Sequence, residues 1–488
     1  MPHRREWIAA LTVAWVLILL RSAVFLGYEQ SFFDSDQAIV GLMAKHLEEG
    51  RAFPLFFYGQ SYMLGVEAWI AAPFLWLGGP TVASLRAAIV TLNLAAATLL
   101  ITGLWKGAGV RPWYGLVATL FFAIAPPFTS ALLVQAQGGG IEPFIYIALL
   151  WWLRERPLAF GAVLAVGFLN REFAIYAVPV ILAEQLMTRR LFRAETIRAW
   201  LIAAVAFFAV WEGVNSLKPY ADLMGPGTRG QLLGGFAGSQ LADVSDRTSV
   251  SLAELPARVG PVVNHLFAWL MNGQHVVDGV ATQGHDWLWW PIVAGLGLLA
   301  GRSAVVLWRG GAALARRTAF CWYLAGVGCV AVVAYAVGRA PTDGTIRYLL
   351  LSLLIPVGIV AGGLAVEPRR PVRGAIVAAV AGWAVIAAAD NVALIRRYSG
   401  GTEPNEIRVL ADALVARKLG VAEADYWRAY KLSFLTHEQL KVASTDVVRI
   451  AEYQSLAAAA GPRLLRIQED PCVGGERIGK FYLCRPPR

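Results

Sequence analysis

Two aspartates, Asp34 and Asp36, lie in the segment "SFFDSDQAIVGL" directly after the first long apolar run of the chain. A carboxylate at a water boundary can accept the proton of a hydroxyl group, and a carboxylate pair can hold a divalent cation. The pair also has a structural interpretation, because an aspartate before a helix often caps its first turn. The spacing predicts a helix from Gln37 to Leu47, with Asp36 as candidate base or helix cap and Asp34 as its supporting partner.

Further ionisable residues recur at the ends of later apolar runs. A charge at the centre of a membrane helix costs about 2.5–3.5 kcal/mol, so charges gathered at one depth are informative. Carboxylates there can form an acidic cavity wall, and arginine or lysine can bind a phosphate group. The acidic candidates are Glu142, Glu172 and Glu67, and the phosphate-binding candidates are Arg171, Arg347, Arg86 and Lys218.

Each of these residues also has a structural alternative. Glu142 can compensate a helix dipole, and Arg347 can extend along the end of a span. The neighbours Arg171 and Glu172 can form a local ion pair. Glu67 stands in "YMLGVEAWIAAPFLWL", which predicts an amphipathic helix on the membrane surface. The residues alone leave both interpretations open.

The elements that must position these residues are apolar helices. The chain is 57% hydrophobic and only 16% charged, which is typical of an integral membrane protein and not of a soluble domain. Its net charge of +10 comes from basic clusters between apolar runs, which indicates membrane orientation and not a nucleic-acid partner. The apolar runs predict about eleven spans, at residues 7–27, 83–104, 113–132, 141–153, 157–170, 173–188, 198–215, 288–308, 318–337, 347–365 and 374–394.

The basic clusters fall in alternate connections, on the side of the N-terminal "HRR", so we expect a cytoplasmic N-terminus. The connections on the opposite side are long, at residues 28–82 and 216–287. We therefore predict a transmembrane module at 1–394 with helices along the membrane in its first outer loop. A small extracytoplasmic (periplasmic) α/β domain follows at 395–488.

The C-terminal segment has its own pattern. "NEIRVLADALVARKLGV" has apolar residues at helical spacing, and "LKVAST" and "KFYLC" are typical of short strands. "DYWRAY", residues 425–430, is predicted to be core or edge of this domain. Because the domain is expected outside the cytoplasm, Cys472 and Cys484 are candidates for a disulfide.

The order of these features resembles the polytopic GT-C glycosyltransferases, in particular the protein mannosyltransferase and lipid A aminoarabinose transferase branch (glycosyltransferase family 39-like). "DSDQAIVGLMAKHLEEGRAFPLFFYGQSYMLGVEAW", followed by "ASLRA", has the order of that family's first outer loop, and the resemblance covers residues 7–190. It implies that Asp36 is the catalytic aspartate, that Asp34 forms a D-x-D pair with it, and that Glu142 is a second acidic residue. Gln37 replaces the family's usual Glu, and the family's Lys-Pro-Pro is absent.

The resemblance implies an inverting membrane glycosyltransferase of the cell envelope. It would move a hexose or pentose from a polyprenyl-phosphate donor to an acceptor hydroxyl at the outer face of the cytoplasmic (inner) membrane. Asp36 would take the acceptor proton, and arginines would stabilise the departing phosphate. The partners are the lipid-linked donor, a lipid, glycan or protein acceptor, and membrane lipid, with no nucleic acid. We assign no required cofactor, and we leave open a divalent metal ion bound by Asp34 and Asp36.

The alternative function is a transporter or flippase of lipid-linked sugars, which would also have many spans. Such proteins tend to place ionisable residues near the bilayer midplane and often have repeated halves. Here the charges lie mostly at span ends and no internal repeat stands out. A third alternative, a binding domain on a membrane anchor, would not need so many spans.

Overall fold

The computed structural model describes residues 2–232, 255–272, 275–277, 280–282, 284–338, 343–401 and 403–485. Within these ranges seven helices are long and apolar enough to cross a membrane, or eight if one bent pair counts as a span. The chain is therefore a polytopic α-helical membrane protein, as predicted. The seven are His3–Gly27, Val82–Ala108, Ala194–Tyr220, Asp286–Arg317, Ala319–Val337, Thr345–Val366 and Arg370–Ser399.

The membrane part is built almost entirely of helices. The first of them are α1 (Pro2–Gly27), α2 (Ser35–Glu48), α3 (Val66–Gly78), α4 (Val82–Ala108), α5 (Pro112–Ala123), α6 (Pro127–Val134), α7 (Glu142–Leu153), α8 (Pro157–Asn170), α9 (Ala177–Met187) and α10 (Ala194–Asn215). The others are α11 (Leu255–Pro261), α12 (Ala268–Met271), α13 (Trp289–Arg317), α14 (Ala319–Val337), α15 (Leu354–Val366) and α16 (Arg370–Ser399). Two antiparallel hairpins join them: β1 (Phe56–Phe57) with β2 (Gln60–Leu64), and β3 (His275–Val277) with β4 (Val280–Thr282).

Seven of the predicted spans, or eight with the bent pair, are helices long and apolar enough to cross a membrane, and three correspond to shorter helices. The predicted spans at 141–153, 157–170 and 173–188 correspond to α7, α8 and α9, which have 12, 14 and 11 residues. At a rise of 1.5 Å per residue such a helix covers about 16–21 Å of a hydrocarbon core roughly 30 Å thick. Apolar composition identified these helices correctly, but their length does not let each one cross the membrane alone.

The predicted span at 113–132 is broken. Pro126 and Pro127 separate α5 from α6, and the two helices meet at 87°. Proline has no backbone N–H, so the break leaves carbonyl groups without helical donors. Asn391 and the Ser130 hydroxyl both donate to the carbonyl of Ala125, at 2.9 and 2.7 Å. After the bend, the end of α6 lies near the segment before α2, where the Gln135 amide donates to the Phe32 carbonyl at 3.3 Å. Asp34 and Asp36 follow directly in that segment.

The connection between α1 and α4 forms a buried layer. The central residues of α2, from Ala38 to Ala44, are buried, because α3 covers one side of the helix and the C-terminal domain covers another. The predicted helix at Gln37–Leu47 is confirmed, extended to Ser35–Glu48. In α3, Glu67 lies on the buried face and Phe74 on a partly exposed one, so the acidic residue points into the protein.

The C-terminal domain is a small α/β domain, as predicted. Its sheet has the strand order β6-β5-β7-β9-β8, with β5 parallel to β6 and β7, and β9 antiparallel to β7 and β8. A disulfide joins Cys472 to Cys484 on β9. The elements are α17 (Glu406–Ala416), β5 (Val421–Ala424), α18 (Tyr426–Leu435), β6 (Lys441–Ser444), α19 (Ala451–Ala460), β7 (Arg466–Gln468), β8 (Glu476–Ile478) and β9 (Phe481–Cys484).

Glu438 fixes this domain onto α2. Its nearly buried carboxylate contacts Lys45 at 2.6 Å, Arg51 at 2.8 Å and His46 at 3.0 Å, and it accepts the Tyr453 hydroxyl at 2.9 Å. Burial alone would raise the pKa of Glu438, but hydrogen bonds and charges from His46 and Lys45 outweigh it and hold that pKa well below its usual range. A carboxylate held by this many donors stays ionised, so the ion pairs hold the domain against the C-terminal end of α2.

Candidate active site

Five side chains from four separate segments meet at the start of α2. We call Asp34, Asp36, Gln137, Arg347 and Tyr426 the aspartate cluster. The aspartates come from the beginning of α2, Gln137 from the loop between α6 and α7, Arg347 from the 3-10 helix Asp343–Leu353, and Tyr426 from the first turn of α18. The bend between α5 and α6 and the docked C-terminal domain are what bring them together.

Asp34 is the helix cap. Its Oδ1 accepts the backbone N–H of Gln37 at 3.0 Å, and its Oδ2 accepts a hydrogen bond from the Gln137 amide. Burial and the charge of Asp36 raise the pKa of Asp34 to about 6. The interpretation of Asp36 as a possible cap is therefore wrong, because the backbone N–H that a cap would bind is already taken by the neighbouring aspartate.

Asp36 is free of capping and is reachable from outside. Its side chain is 19% exposed, and it receives a hydrogen bond from the Tyr426 hydroxyl on Oδ1. Arg347 Nη1 lies 3.4 Å from its Oδ2. A carboxylate with one oxygen held by a phenol and the other near a guanidinium has a fixed orientation, which a general base requires.

Arg347 is the cation of the aspartate cluster. Its Nη1 also donates to the amide oxygen of Gln137, and its guanidinium carbon lies 5.3 Å from the ring centre of Tyr348. Among the residues that the structure describes, no hydrogen-bond acceptor faces the buried Nε of Arg347. A guanidinium that still has an unused N–H can bind an oxyanion beside Asp36.

A second group of acidic side chains contacts the loop between α6 and α7. We call Glu67, Gly138, Glu142, Asn170 and Arg171 the glutamate cluster. Glu67 accepts the backbone N–H of Gly138 at 2.6 Å, and Glu142 accepts from the Asn170 amide at 3.4 Å. Both glutamates are only 2% exposed. Burial and the neighbouring Glu142 raise the pKa of Glu67 well above its ordinary value.

The loop between α6 and α7 connects the two clusters. Gln137 bonds Asp34 and Arg347, while Gly138 donates to Glu67 and accepts from Arg171 Nε at 2.9 Å. The next residue, Gly139, has φ +84°, and a Cβ there would overlap the Arg171 side chain. Glycine is needed at this position for both reasons, because other residues rarely adopt positive φ.

Three candidates from the sequence lie outside both clusters. Arg86 is buried and donates to the carbonyls of Phe25 at 2.7 Å and Ser31 at 2.5 Å, so its donors fix the loop between α1 and α2. Lys218 is half-buried, with Nζ 5.3 Å from the ring centre of Phe56. Glu172 begins the 3-10 helix Glu172–Tyr176 and is half-buried there.

Sequence reasoning missed Gln137 and Tyr426. Gln137 begins the "QGGG" run, whose glycines are a signal for an unusual backbone. Tyr426 lies in "DYWRAY", which was assigned to the core or edge of the C-terminal domain. Nothing local in that segment indicates contact with a residue 390 positions earlier. Only the docking of the domain reveals it.

The aspartate pair does not form a cation site in the described arrangement. The oxygens of Asp34 and Asp36 are directed at four donors that belong to Gln37, Gln137, Arg347 and Tyr426. In the described part of the chain no group of three or more His, Cys, Asp or Glu side chains converges. A divalent cation prefers several oxygen ligands, whereas these carboxylate oxygens face hydrogen-bond donors.

The fold is that of a polytopic membrane protein and is similar to the fold of ArnT. Two crystal structures of ArnT from Cupriavidus metallidurans are similar to this chain. The one bound to undecaprenyl phosphate has a TM-score of 0.60 and 11% identity, covering 98% of this chain and 97% of that chain. The apo structure has a TM-score of 0.51 and 12% identity, covering 98% and 96%. No protein-family model and no curated protein sequence matches the chain.

Proposed function

We propose that this protein is a membrane glycosyltransferase that moves a sugar from a polyprenyl-phosphate donor to an acceptor hydroxyl. The observation that carries the proposal is Asp36, partly exposed and oriented, beside the unused N–H of Arg347. The similar fold of ArnT, in a structure bound to undecaprenyl phosphate, supports the class of donor. A base next to an anion-binding cation is what transfer from a phosphate-linked sugar needs.

The reaction follows from the geometry of the aspartate cluster. Asp36 accepts the proton of the acceptor hydroxyl while that oxygen attacks the anomeric carbon of the sugar. The bond between this carbon and the phosphate oxygen breaks, and its electron pair stays on the departing lipid phosphate. Arg347 binds that phosphate oxygen as its charge grows. Because one displacement occurs, the product has inverted configuration, and no covalent sugar-enzyme intermediate forms.

The other residues position these two. The Tyr426 hydroxyl keeps Asp36 from rotating, and Gln137 holds Arg347 near it. Arg171 also lies near the Tyr348 ring, with its guanidinium carbon 5.6 Å from the ring centre, where it adds a second positive charge. Arg86 and Lys218 are proposed to act farther away, in shaping the loop and the membrane boundary. The lipid phosphate cannot leave the membrane, so the reaction takes place at its surface.

The proposed orientation places the reaction on the outer face. The basic clusters lie on the side of the N-terminus, so the N-terminus is cytoplasmic and the aspartate cluster and C-terminal domain are extracytoplasmic. The acceptor then arrives from the periplasm, and the lipid-linked donor arrives within the outer leaflet. Lipids, glycans and proteins are all available as acceptors there.

The test is the Asp36→Asn variant in membranes supplied with lipid-linked sugar. Sugar transfer should fall by about a hundredfold to ten-thousandfold, because a general base contributes that much. Expression and the thermal unfolding temperature should stay unchanged, since asparagine keeps the Tyr426 contact. Unchanged transfer would exclude Asp36 as the base. Movement of labelled lipid-linked sugar between vesicle leaflets, without a new glycoside, would show a flippase instead.

A further inference from the structure

A polar cavity lies beside the aspartate cluster and takes no part in the proposed chemistry. It has a volume of about 420 Å³ and lies between the loop after α1, the end of α16 and the C-terminal domain. Small-molecule sites typically have volumes of about 300–1,000 Å³, so this one is large enough for a ligand. The residues that line it include Phe32, Glu406, Trp427, Arg428, Glu469 and Lys480.

The charges of this cavity are balanced. Glu469 contacts Arg428 at 3.0 Å and Lys480 at 3.4 Å, and Lys480 also contacts Glu406 at 3.3 Å. A site for a phosphate or a polyanion would present cations without acidic partners. Here donors and acceptors alternate along one wall, which suits a neutral ligand whose groups both donate and accept hydrogen bonds. Sugar hydroxyls have this property.

Trp427 provides an aromatic surface among these polar groups. Its side chain is 56% exposed, although the residue lies in the C-terminal domain and not on a membrane helix. The exposed tryptophans Trp76 and Trp308 lie on apolar helices, where the membrane accounts for them. An exposed indole in a polar cavity can pack against the C–H face of a pyranose ring and donate its N–H to a hydroxyl.

Two residues that line the cavity contact the aspartate cluster or the start of α2. Trp427 follows Tyr426, whose hydroxyl bonds Asp36, and the two rings are in contact with centres 5.1 Å apart. Phe32 lines the cavity, and its carbonyl accepts the Gln37 amide at 2.7 Å, directly below the capped start of α2. A molecule in the cavity is therefore adjacent to the segment that holds the base.

We infer that this cavity binds neutral sugar units of the acceptor, which makes the acceptor a glycan. The inference rests on the proposed transferase function and names the acceptor class for the same site. Sugar units next to the reacting hydroxyl would stack on Trp427 and bond the alternating charges, which places the hydroxyl near Asp36. The C-terminal domain then contributes both the acceptor cavity and the Tyr426 contact.

The experiment measures glycan binding without any transfer. Full-length protein in detergent is applied to an array of neutral, N-acetylated and phosphorylated oligosaccharides of two to six sugars. We expect the neutral or N-acetylated glycans to bind, and Trp427→Ala to weaken that binding roughly tenfold. The matched control is Trp287→Ala, which removes another exposed tryptophan, 64% exposed, away from the cavity. It should bind as the unchanged protein does.

A second variant protects the test against misfolding. Glu469→Gln leaves Arg428 and Lys480 without their shared acidic partner, at a surface position. It should shift preference toward phosphorylated glycans while the domain stays folded. Absence of glycan binding, binding of phosphorylated glycans alone, or full binding by Trp427→Ala would overturn the inference.

Separate results would contradict the proposed function and the cavity assignment. Asp36→Asn should keep glycan binding and lose transfer. If that variant still transfers sugar while Trp427→Ala loses binding, the cavity is correct and the assigned base is wrong. If transfer depends on Asp36 but only peptides or lipids serve as acceptors, the base is correct and the cavity assignment is wrong.

Discussion

The aspartate cluster and the glutamate cluster use the same residue types in different environments. Each has two carboxylates and an arginine, and one loop touches both. In the aspartate cluster the arginine lies 3.4 Å from a partly exposed carboxylate. In the glutamate cluster both carboxylates are buried, and Arg171 bonds the Gly138 carbonyl instead of an acid. The first can react with a substrate, whereas the second supports the loop.

The difference shows how environment assigns roles to identical groups. Burial and the neighbouring charge of Glu142 raise the pKa of Glu67, so ionisation of Glu67 is less favourable than in water. Asp36 instead faces an opening and keeps an oriented oxygen. The buried pair therefore stabilises the loop that carries Gln137, and the partly exposed Asp36 performs the proposed chemistry with Arg347.

After Asp36→Asn, the largest effect is expected from removing the cation of the aspartate cluster. Arg347→Ala should lower transfer by roughly a hundredfold to a thousandfold, the usual loss when one donor to a developing oxyanion is removed. The measurement is the transfer rate at saturating donor. Arg302→Ala is the control, because it breaks another arginine contact, with Glu367. That glutamate follows the end of the span Thr345–Val366, whereas Arg347 lies at its beginning. If Arg171→Ala costs more than Arg347→Ala, the glutamate cluster is the catalytic one.

Removing the contact from the C-terminal domain should have the next largest effect. Tyr426→Phe frees Asp36 to rotate and should lower kcat roughly tenfold with little change in KM, because a hydrogen bond to a charged group is lost. Tyr430→Phe is the matched control, since this tyrosine lies one turn later and bonds backbone groups of Val447 and Arg449 instead. Equal losses of kcat in both variants would mean that Tyr426 only stabilises the domain.

A smaller, pH-dependent effect is expected from Asp34. Because its pKa is raised to about 6, Asp34 is ionised above that pH and accepts the Gln137 amide, and it is protonated below. Transfer should therefore decline as the pH falls through about 6. Asp34→Asn cannot ionise, and it keeps the helix cap because asparagine caps equally well. Its rate should be a few-fold lower near neutral pH and flat across this range.

Ionisation of Asp34 affects stability in the opposite direction to transfer. The folded state binds the Asp34 proton more tightly than the unfolded state, so ionised Asp34 lowers the free energy of unfolding above about pH 6. This cost disappears as the pH falls from about 6 toward 3.8, and Asp34→Asn should remove it. An acid decline in transfer that persists unchanged in this variant would assign the titration to another group.

The smallest effect is expected in the glutamate cluster. Glu67→Gln keeps the size of the side chain and an oxygen that can accept the Gly138 N–H, so transfer should change less than about twofold. Glu67→Ala leaves the Gly138 N–H without its partner and should cost about 1–3 kcal/mol of stability. Thermal unfolding of the two variants checks this contrast. A loss of transfer in Glu67→Gln as large as in Asp36→Asn would remove the distinction between the clusters.

Much of the fold could be predicted from local pattern. The apolar runs gave helices at every predicted span, the period in "NEIRVLADALVA" gave α17, and "KVAS" and "FYLC" gave strands β6 and β9. The number of full spans was wrong because composition does not report where a helix stops. Prolines at 126 and 127 break one span, and α7, α8 and α9 are too short to cross alone.

The candidate site was predicted in part. The proximity of Asp36 to Arg347, 311 positions apart, agrees with the expectation that charges at one depth share a cavity. Arg171 and Glu142 also come together through the same loop. Gln137 and Tyr426 were missed, since their side chains differ in no local way from many others. Capping by Asp34 instead of Asp36 depended on a backbone angle that the residue types leave undetermined.

By itself, the sequence determined a membrane protein with carboxylates and arginines at the ends of its helices. Hydrophobicity and charge placement are local properties, and bilayer insertion depends on them directly. The tertiary structure alone decided which carboxylate is exposed, which glutamate has a raised pKa, and that the C-terminal domain contacts Asp36. Those properties arise from burial and from contacts between distant segments, and they exist only when the chain is packed.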